Sequence, residues 1–523
     1  MYNFSTLRSK VEAYLEKGIS TRIPYINRGL EKESLRQTSN GKLAQTPHPH
    51  AVGSALTNEY ITTDYSEALL EFITPVIKET DCLINFLQDL HSFTLTNMDP
   101  DESLWCHSMP CILTEEKEIQ IANYGTSNIG QMKHIYRQGL DWRYTKKMQT
   151  IAGIHFNFSY PEELWEFLHQ QSNSPLNLKD FKSEGYFKLI RNFQRYVWLL
   201  FYFTGSSPAL CKSFLSDQEN NLESFDECTA YLPFATSLRM SDLGYTNKEQ
   251  QALNVSFNSL DEYVDGLTEA IKTPSQEFAK IGTKVNGTYR QLNSNILQIE
   301  NEFYSIVRPK RTISSGEKPS KALSERGVEY VEIRMLDINP FEPAGISKES
   351  INFLDIFMLS CLLEESPAIT ADELVYMQEN QQKSILSGRK KDLTLKTSEG
   401  DKLFKSLAEE CLESFKSTAE LLDKSLSTKR YSETLARHKK MLDNPDLSPS
   451  GRIIQEMEKG HCSYYPFAKK ISDQHNQLFK KQSLSPEMLK LLQESVEKSH
   501  QKQREIEQSD TISFDDFLNN YFN

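Results

Sequence analysis

Residues 151–159 read IAGIHFNFS and residues 328–335 read VEYVEIRM, and both alternate in the manner of an extended chain. A strand sends successive side chains to opposite faces. In the first segment Ala152, Ile154, Phe156 and Phe158 share one face, and Ile151, Gly153, His155, Asn157 and Ser159 share the other. In the second, Val331, Ile333 and Met335 oppose Tyr330, Glu332 and Arg334. Three further stretches fit the same description. RGLEKES places Glu31 and Glu33 two residues apart on one side. TTDYSEALLEFITP adds Asp64, Glu67 and Glu71, the last within an alternating run from Leu69 to Ile73. LQIENEFY, residues 297–304, reads as a strand with Gln298, Glu300, Glu302 and Tyr304 on its polar face.

For any one of these segments a solvated outer face is the simpler account. Taken together the polar faces are dominated by Glu, with one His and one Arg, where an ordinary wet face mixes Lys, Thr and Ser. Carboxylates crowded on one sheet repel each other unless divalent cations lie between them. Oxygen-rich sites with an occasional imidazole suit Mg²⁺ or Mn²⁺, above all where phosphate oxygens complete the shell. The pattern points to a metal-dependent enzyme acting on a phosphorylated ligand.

Around these strands the chain is 523 residues long, with 38% hydrophobic and 25% charged residues, 28 Phe and 23 Tyr, enough for a large core. Its net charge of −13 disfavours a general nucleic-acid or anionic-membrane binder. Eight cysteines without a dense cluster do not form a disulfide framework, and Cys106 and Cys111 have only His107 beside them as a further soft ligand, so buried or idle thiols are expected there. The amphipathic N-terminus shows no secretory signal, and the longest apolar run, Val197 to Phe203, is far short of a membrane span; a cytoplasmic protein is expected. No GxxxxGK[ST], GxGxxG after a strand, or GxSxG occurs. Arg308, Lys310 and Arg311 cluster in VRPKRTISSGEK, a loop-like stretch that fits either a solvated charge run or a phosphate contact. From about Ser347 apolar residues recur at helical spacing, and residues 486–510 are polar enough for a surface helix or partial disorder. The expected division is a mixed α+β catalytic region, residues 1–380, and a helical C-terminal part, residues 381–523.

Several long motifs in this order resemble the glutamate–cysteine ligases of γ-proteobacterial type: RGLEKESLR, LTNEYITTDYSEALLEFITP, ANYGTSNIGQMKHIYRQGL, MQTIAGIHFNFS, PFATSLRMSDLGYTNK, IKTPSQEFAKIG, NSNILQIENEFY and GVEYVEIRMLDINPFEP, with weaker similarity from ILSGRKKDLTL to NPDLSPSGRI. The resemblance implies a glutamine-synthetase-like antiparallel sheet curved into a half-funnel that holds ATP and two or three Mg²⁺ ions, with Mn²⁺ as an alternative. It implies L-glutamate, L-cysteine and ATP as substrates, and a monomer is expected. The metal ligands fall on Glu31, Glu33, Glu71, His155 and Glu332. Asp64 matches an acid beside the cysteine amine, a base or a further ligand, and Arg334 matches the arginine facing the transferred phosphoryl group. Tyr136, Ile151, Tyr245 and Tyr304 match the pocket for the cysteine side chain, and Arg137 and Arg239 match substrate-carboxylate contacts.

Overall fold

The alternating runs at 28–34, 154–159 and 330–335 each form strand, and antiparallel pairing gathers them into one sheet. The structure is a computed structural model and describes residues 6–23, 25–215, 220–243, 253, 255–314 and 316–522. Among these, seven strands make the sheet. They are β1 (Asn27–Thr38), β2 (Ile61–Thr63), β3 (Leu69–Ile73), β4 (Glu102–Leu104), β5 (Ile154–Ser159), β6 (Val307–Lys310) and β7 (Tyr330–Leu336). Their order is β6-β7-β5-β1-β3-β2, with β4 on the far end of β1.

One face of the sheet is dry. Leu30, Leu70, Phe72, Ile154, Phe156, Phe158, Val331 and Ile333 point there and are buried. Helices α1 (Thr80–Asn97), α3 (Leu178–Thr204) and α4 (Lys348–Leu363) pack behind that face. Every residue of α4 from Ile351 to Leu363 is buried, which explains a helix with apolar residues all round. It begins where the Ser347 hydroxyl accepts a hydrogen bond from the Ser350 amide. Arg28 on β1 reaches into this layer and meets Asp355 of α4 with both ends of its fork, Nε to Oδ1 at 2.9 Å and Nη2 to Oδ2 at 2.6 Å. Neither side chain sees solvent appreciably.

Beyond residue 380 the described chain is mainly helical, with one hairpin, Thr394–Thr397 against Gly400–Leu403. The polar stretch near the end is a surface helix, Pro486–Ser509, in which only Leu492 and Ser499 are buried. It is tied down by hydrogen bonds, the Ser54 amide donating to Ser499 Oγ at 3.0 Å and the Thr126 amide to Glu507 at 2.9 Å. A last helix, Phe514–Phe522, follows.

Two expectations are corrected. Residues 297–304 are not a strand; they form irregular chain with a 3₁₀ turn at Glu300–Glu302. The two carboxylates turn inward to local donors instead of lining a wet face. Glu300 accepts from the amide and hydroxyl of Ser320, at 2.7 and 2.6 Å, and Glu302 from Arg143, Tyr144 and the Gln298 amide. Conversely, Arg308 and Lys310 lie on an edge strand, β6, where a loop was expected, because Val307 buries its side chain in the core and β7 supplies the ladder.

Candidate active site

The other face of the sheet carries the charged residues, and strand register decides which of them meet. Glu33 lies across from Glu71, Glu31 across from His155, and Glu332 across from Asn157 on one side and Arg308 on the other. His155 stands in the middle. Its Nδ1 is 3.2 Å from Glu31 and 4.0 Å from Glu332, and its Nε2 is 3.8 Å from Glu33. One ligand atom from each of Glu31, His155 and Glu332 falls within 4.8 Å of the others. Asn157 donates to Glu31 at 2.7 Å and the Gly153 amide to Glu33 at 2.6 Å, so the carboxylates are oriented from behind.

Charge is divided along the sheet. At the β1/β3 end burial, then the neighbouring carboxylates Glu31, Asp64 and Glu33, push the Glu71 carboxyl well above its ordinary range. Burial and then Asp64 likewise raise Glu33. At the β6/β7 end burial would raise Glu332, but Lys310, Arg334, His155 and Arg308 outweigh it and hold it well below. Arg334 Nη1 is 3.1 Å from Glu332 and Lys310 Nζ is 3.4 Å away. A crowd of buried carboxylates with one imidazole, packed too closely for all to ionise unaided, is a donor set that fits Mg²⁺ or Mn²⁺.

This face floors a cavity of about 310 Å³. Its far wall is helix α2 (Asn128–Tyr144), which contributes Tyr136, Arg137, Leu140 and Tyr144 at helical spacing. Arg239, Tyr304, Arg308 and Lys310 complete the rim together with Asp64. Arg137 donates to the Asp64 carbonyl and lies 4.6 Å over the Tyr124 ring. The Tyr304 hydroxyl is 3.3 Å from the Met240 sulfur. A wider groove of about 1040 Å³ runs between the helices Phe404–Leu426 and Arg430–Asp443. Its lining has neither histidine nor arginine beside its carboxylates, so size alone does not locate the site.

Most of the residues singled out in the sequence thus converge, with three exceptions. Ile151 is fully buried just ahead of β5 and does not line the cavity. Arg311 turns away, its Nη1 donating to the Arg326 carbonyl at 2.7 Å and its Nε 3.6 Å from Glu329. Tyr245 lies outside the described residues. Glu67 is also near but occupied, accepting the amides of His48 and Asn123 at 2.6 and 2.8 Å. His107 faces the Ala468 carbonyl at 3.2 Å, and Cys106 and Cys111 are buried free thiols.

Residues the sequence reading passed over include Met148 and Gln149 on the cavity wall, next to the quoted IAGIHFNFS, and Leu140 and Tyr144, one and two turns beyond Tyr136. Behind them is Asp337. It faces Arg239 at 3.7 Å while accepting from the Ser206 amide and the Ser207 and Ser237 hydroxyls at 2.8, 2.7 and 2.9 Å. Arg239 in turn donates to the Arg334 carbonyl at 3.1 Å and lies flat on Gly153, where a Cβ would overlap the guanidinium.

Residues 13–384 match the family model described as glutamate–cysteine ligase. The glutamate–cysteine ligase of Alcanivorax borkumensis is 47% identical over 522 residues, 99% of each chain. That of Shewanella oneidensis is 47% identical over 498 residues, 95% of each. The crystal structure of the Francisella tularensis glutamate–cysteine ligase in complex with AMP superposes with a TM-score of 0.90 at 35% identity, over 96% of this chain and 98% of that one. A bifunctional glutathione synthetase from Pasteurella multocida shares the fold at a TM-score of 0.71 and 24% identity, over 90% of this chain and 55% of that one. A half-funnel of antiparallel strands with a carboxylate–imidazole floor and an arginine-rich rim is the framework of an ATP-dependent carboxylate–amine ligase. The chain belongs to the glutamate–cysteine ligase family, whose reaction is the first step of glutathione synthesis. Among the described residues no helix is long and apolar enough to cross a membrane.

Proposed function

We propose that this site joins the γ-carboxylate of L-glutamate to the amine of L-cysteine through a γ-glutamyl phosphate, releasing ADP and phosphate. The observation that carries the reading is the strand register that brings Glu31, Glu33, Glu71, His155, Glu332 and Arg334 onto one face, the floor of one cavity. A carboxylate is a poor electrophile toward an amine, so it must first be activated by phosphorylation. Glu31, Glu33, Glu71, His155 and Glu332 are the residues that would hold two or three Mg²⁺ ions, with Mn²⁺ an alternative, which supply charge neutralisation between two anionic reactants.

Arg334 is the group placed to take charge spreading onto the transferred phosphoryl oxygens. Its Nη1 already leans on Glu332, and its Nε is buried without a hydrogen-bond partner among the described residues. Lys310 and Arg308 extend this positive edge toward the polyphosphate; Arg311, turned away, has no part in it. Arg137, on the helix wall, and Arg239, on the rim beside Gly153, bind substrate carboxylates. Asp64 is positioned to take the proton of the incoming ammonium, leaving a neutral amine to attack the acyl phosphate. Tyr136 and Tyr304, which line the cavity, flank the cysteine side chain and keep water from the mixed anhydride.

Coupled measurement of ADP release with a panel of amino acids tests the proposal. ADP formation that requires glutamate and cysteine together, with γ-glutamylcysteine as product, is expected. Release of ADP with glutamate and a different amine, but not with cysteine, overturns the acceptor assignment. Glu332→Gln keeps the shape and removes the charge, and turnover is expected to fall by ~10² or more. A folded Glu332→Gln protein of near-normal activity sinks the metal-ligand assignment.

A further inference from the structure

The last described helix, α5 (Phe514–Phe522), lies outside the residues matched by the family model and is not among the elements packed extensively on the strands that carry the charged face. It packs instead on the outer side of α2. There Leu518 is buried with Met132, Ile135 and Leu292 in an apolar cluster separate from the main core, joined at its edges by Phe514, Phe517 and Tyr521. Tyr136 belongs to this cluster and also lines the cavity. One aromatic ring is therefore shared between the active site and the apolar cluster that α5 helps to build.

The approach to α5 is tethered to the start of α2. The Asn128 amide donates to the Asp510 carboxylate, and the Asn128 side chain donates to the Ile512 carbonyl at 3.1 Å. On the far side Asp515 accepts from Lys284 at 2.8 Å and from the Tyr289 hydroxyl. Met132 and Ile135 lose the cover of Leu518 if α5 is removed, and Tyr136, which packs against the same cluster, loses part of its backing. A helix with an unpaired apolar stripe is poorly held.

We propose that α5 seats α2 and thereby fixes Tyr136, making Leu518 a positioning residue for the amine-acceptor pocket. This rests on the reading of Tyr136 as a wall of that pocket. The sheet with its metal ligands and phosphate-facing arginines is braced by a different core, so nucleotide handling is not expected to depend on Leu518. The effect of loosening α5 falls selectively on the acceptor.

The test uses the full chain carrying Leu518→Ala, Leu518→Met or Asp510→Asn, with steady-state constants for cysteine, glutamate and ATP and a thermal melt for each. For Leu518→Ala a rise of about 10-fold in the KM for cysteine is expected, the scale of a modest misplacement of a positioning group, with kcat and the KM for ATP within about two-fold of the parent. Leu518→Met, which refills the volume, restores the cysteine KM. Asp510→Asn weakens the tether from outside the apolar cluster, gives a smaller shift of the same kind, and decides the matter if Leu518→Ala does not fold. An unchanged cysteine KM in these variants overturns the proposal, as does a uniform loss across cysteine, ATP and kcat. A parent protein that does not ligate cysteine overturns the acceptor reading instead, and the same selectivity is then sought with the amine that it does use.

Discussion

Gly153 shows how the site depends on a single missing side chain. Its amide orients Glu33, its carbonyl accepts from the Glu33 amide at 3.1 Å, and its α-carbon is the surface on which the Arg239 guanidinium lies. The guanidinium has little room to retreat, since Asp337 and the Arg334 carbonyl hold it from the other side. Gly153→Ala is expected to displace Arg239 and lower kcat/KM for the amino-acid substrate it binds by ~10- to 100-fold, while the KM for ATP stays near the parent value. Steady-state kinetics with each substrate varied in turn, alongside a thermal melt, would check this; equal losses for ATP and amino acids would show a general collapse of the sheet. Glu31, Glu33, Glu71, His155 and Glu332 were legible in the sequence because each lies on a strand whose period places it. Gly153 was visible only as a member of the right face, and Asp337 not at all. Their roles depend on a residue more than eighty positions away approaching in space, and no local period records such an approach.

Among the elements, β7 departs from the regularity that reveals it. Its register with β5 shifts between Ile333 and Leu336, an irregularity that spans Arg334 and Met335. Bulges of this kind re-aim a side chain at the rim of a site, and simple alternation cannot foresee them. Residues 297–304 mislead in the opposite way: the alternation is present, but Ser320, Arg143 and Tyr144 offer Glu300 and Glu302 better partners than a wet face would. The helical assignment from Ser347 onward holds because α4 is long, apolar and capped. Its bond to β1 yields a test of how the sheet is held. Asp355→Ala leaves Arg28 buried with its carboxylate partner gone, and such a loss costs ~3–5 kcal/mol. A lower urea midpoint at unchanged slope is the expected result. A shift under about 1 kcal/mol would mean that water or the Ile26 and Lys78 carbonyls, which Arg28 Nη1 also meets, suffice as partners.

At the scale of the whole molecule, the cavity is assembled from parts far apart in the chain: the sheet, the helix α2, the turn at 300–302 and the segment around Arg239. The arginines of the rim, and the metal that the acid-rich floor would hold under the proposed reading, suit anionic substrates on a protein whose overall charge is −13, because local charges set the potential inside a cleft. The part of the cavity assigned to the acceptor side chain is different in kind. Tyr136 packs against an apolar cluster, and the Tyr304 hydroxyl is engaged by the Met240 sulfur. A thiol is nearly apolar and forms weak hydrogen bonds, so packing and not a polar contact should select it. A methyl group of similar size should fill the same space, making 2-aminobutyrate a good acceptor. Serine is smaller and must bury a hydroxyl, at ~1–3 kcal/mol when unpaired, or about 5- to 150-fold in kcat/KM. Competition among cysteine, 2-aminobutyrate and serine, read as the ratio of γ-glutamyl products, measures this directly. Serine used as well as 2-aminobutyrate would show that a tyrosine hydroxyl turns inward to meet it, and the apolar account of the acceptor pocket would fall.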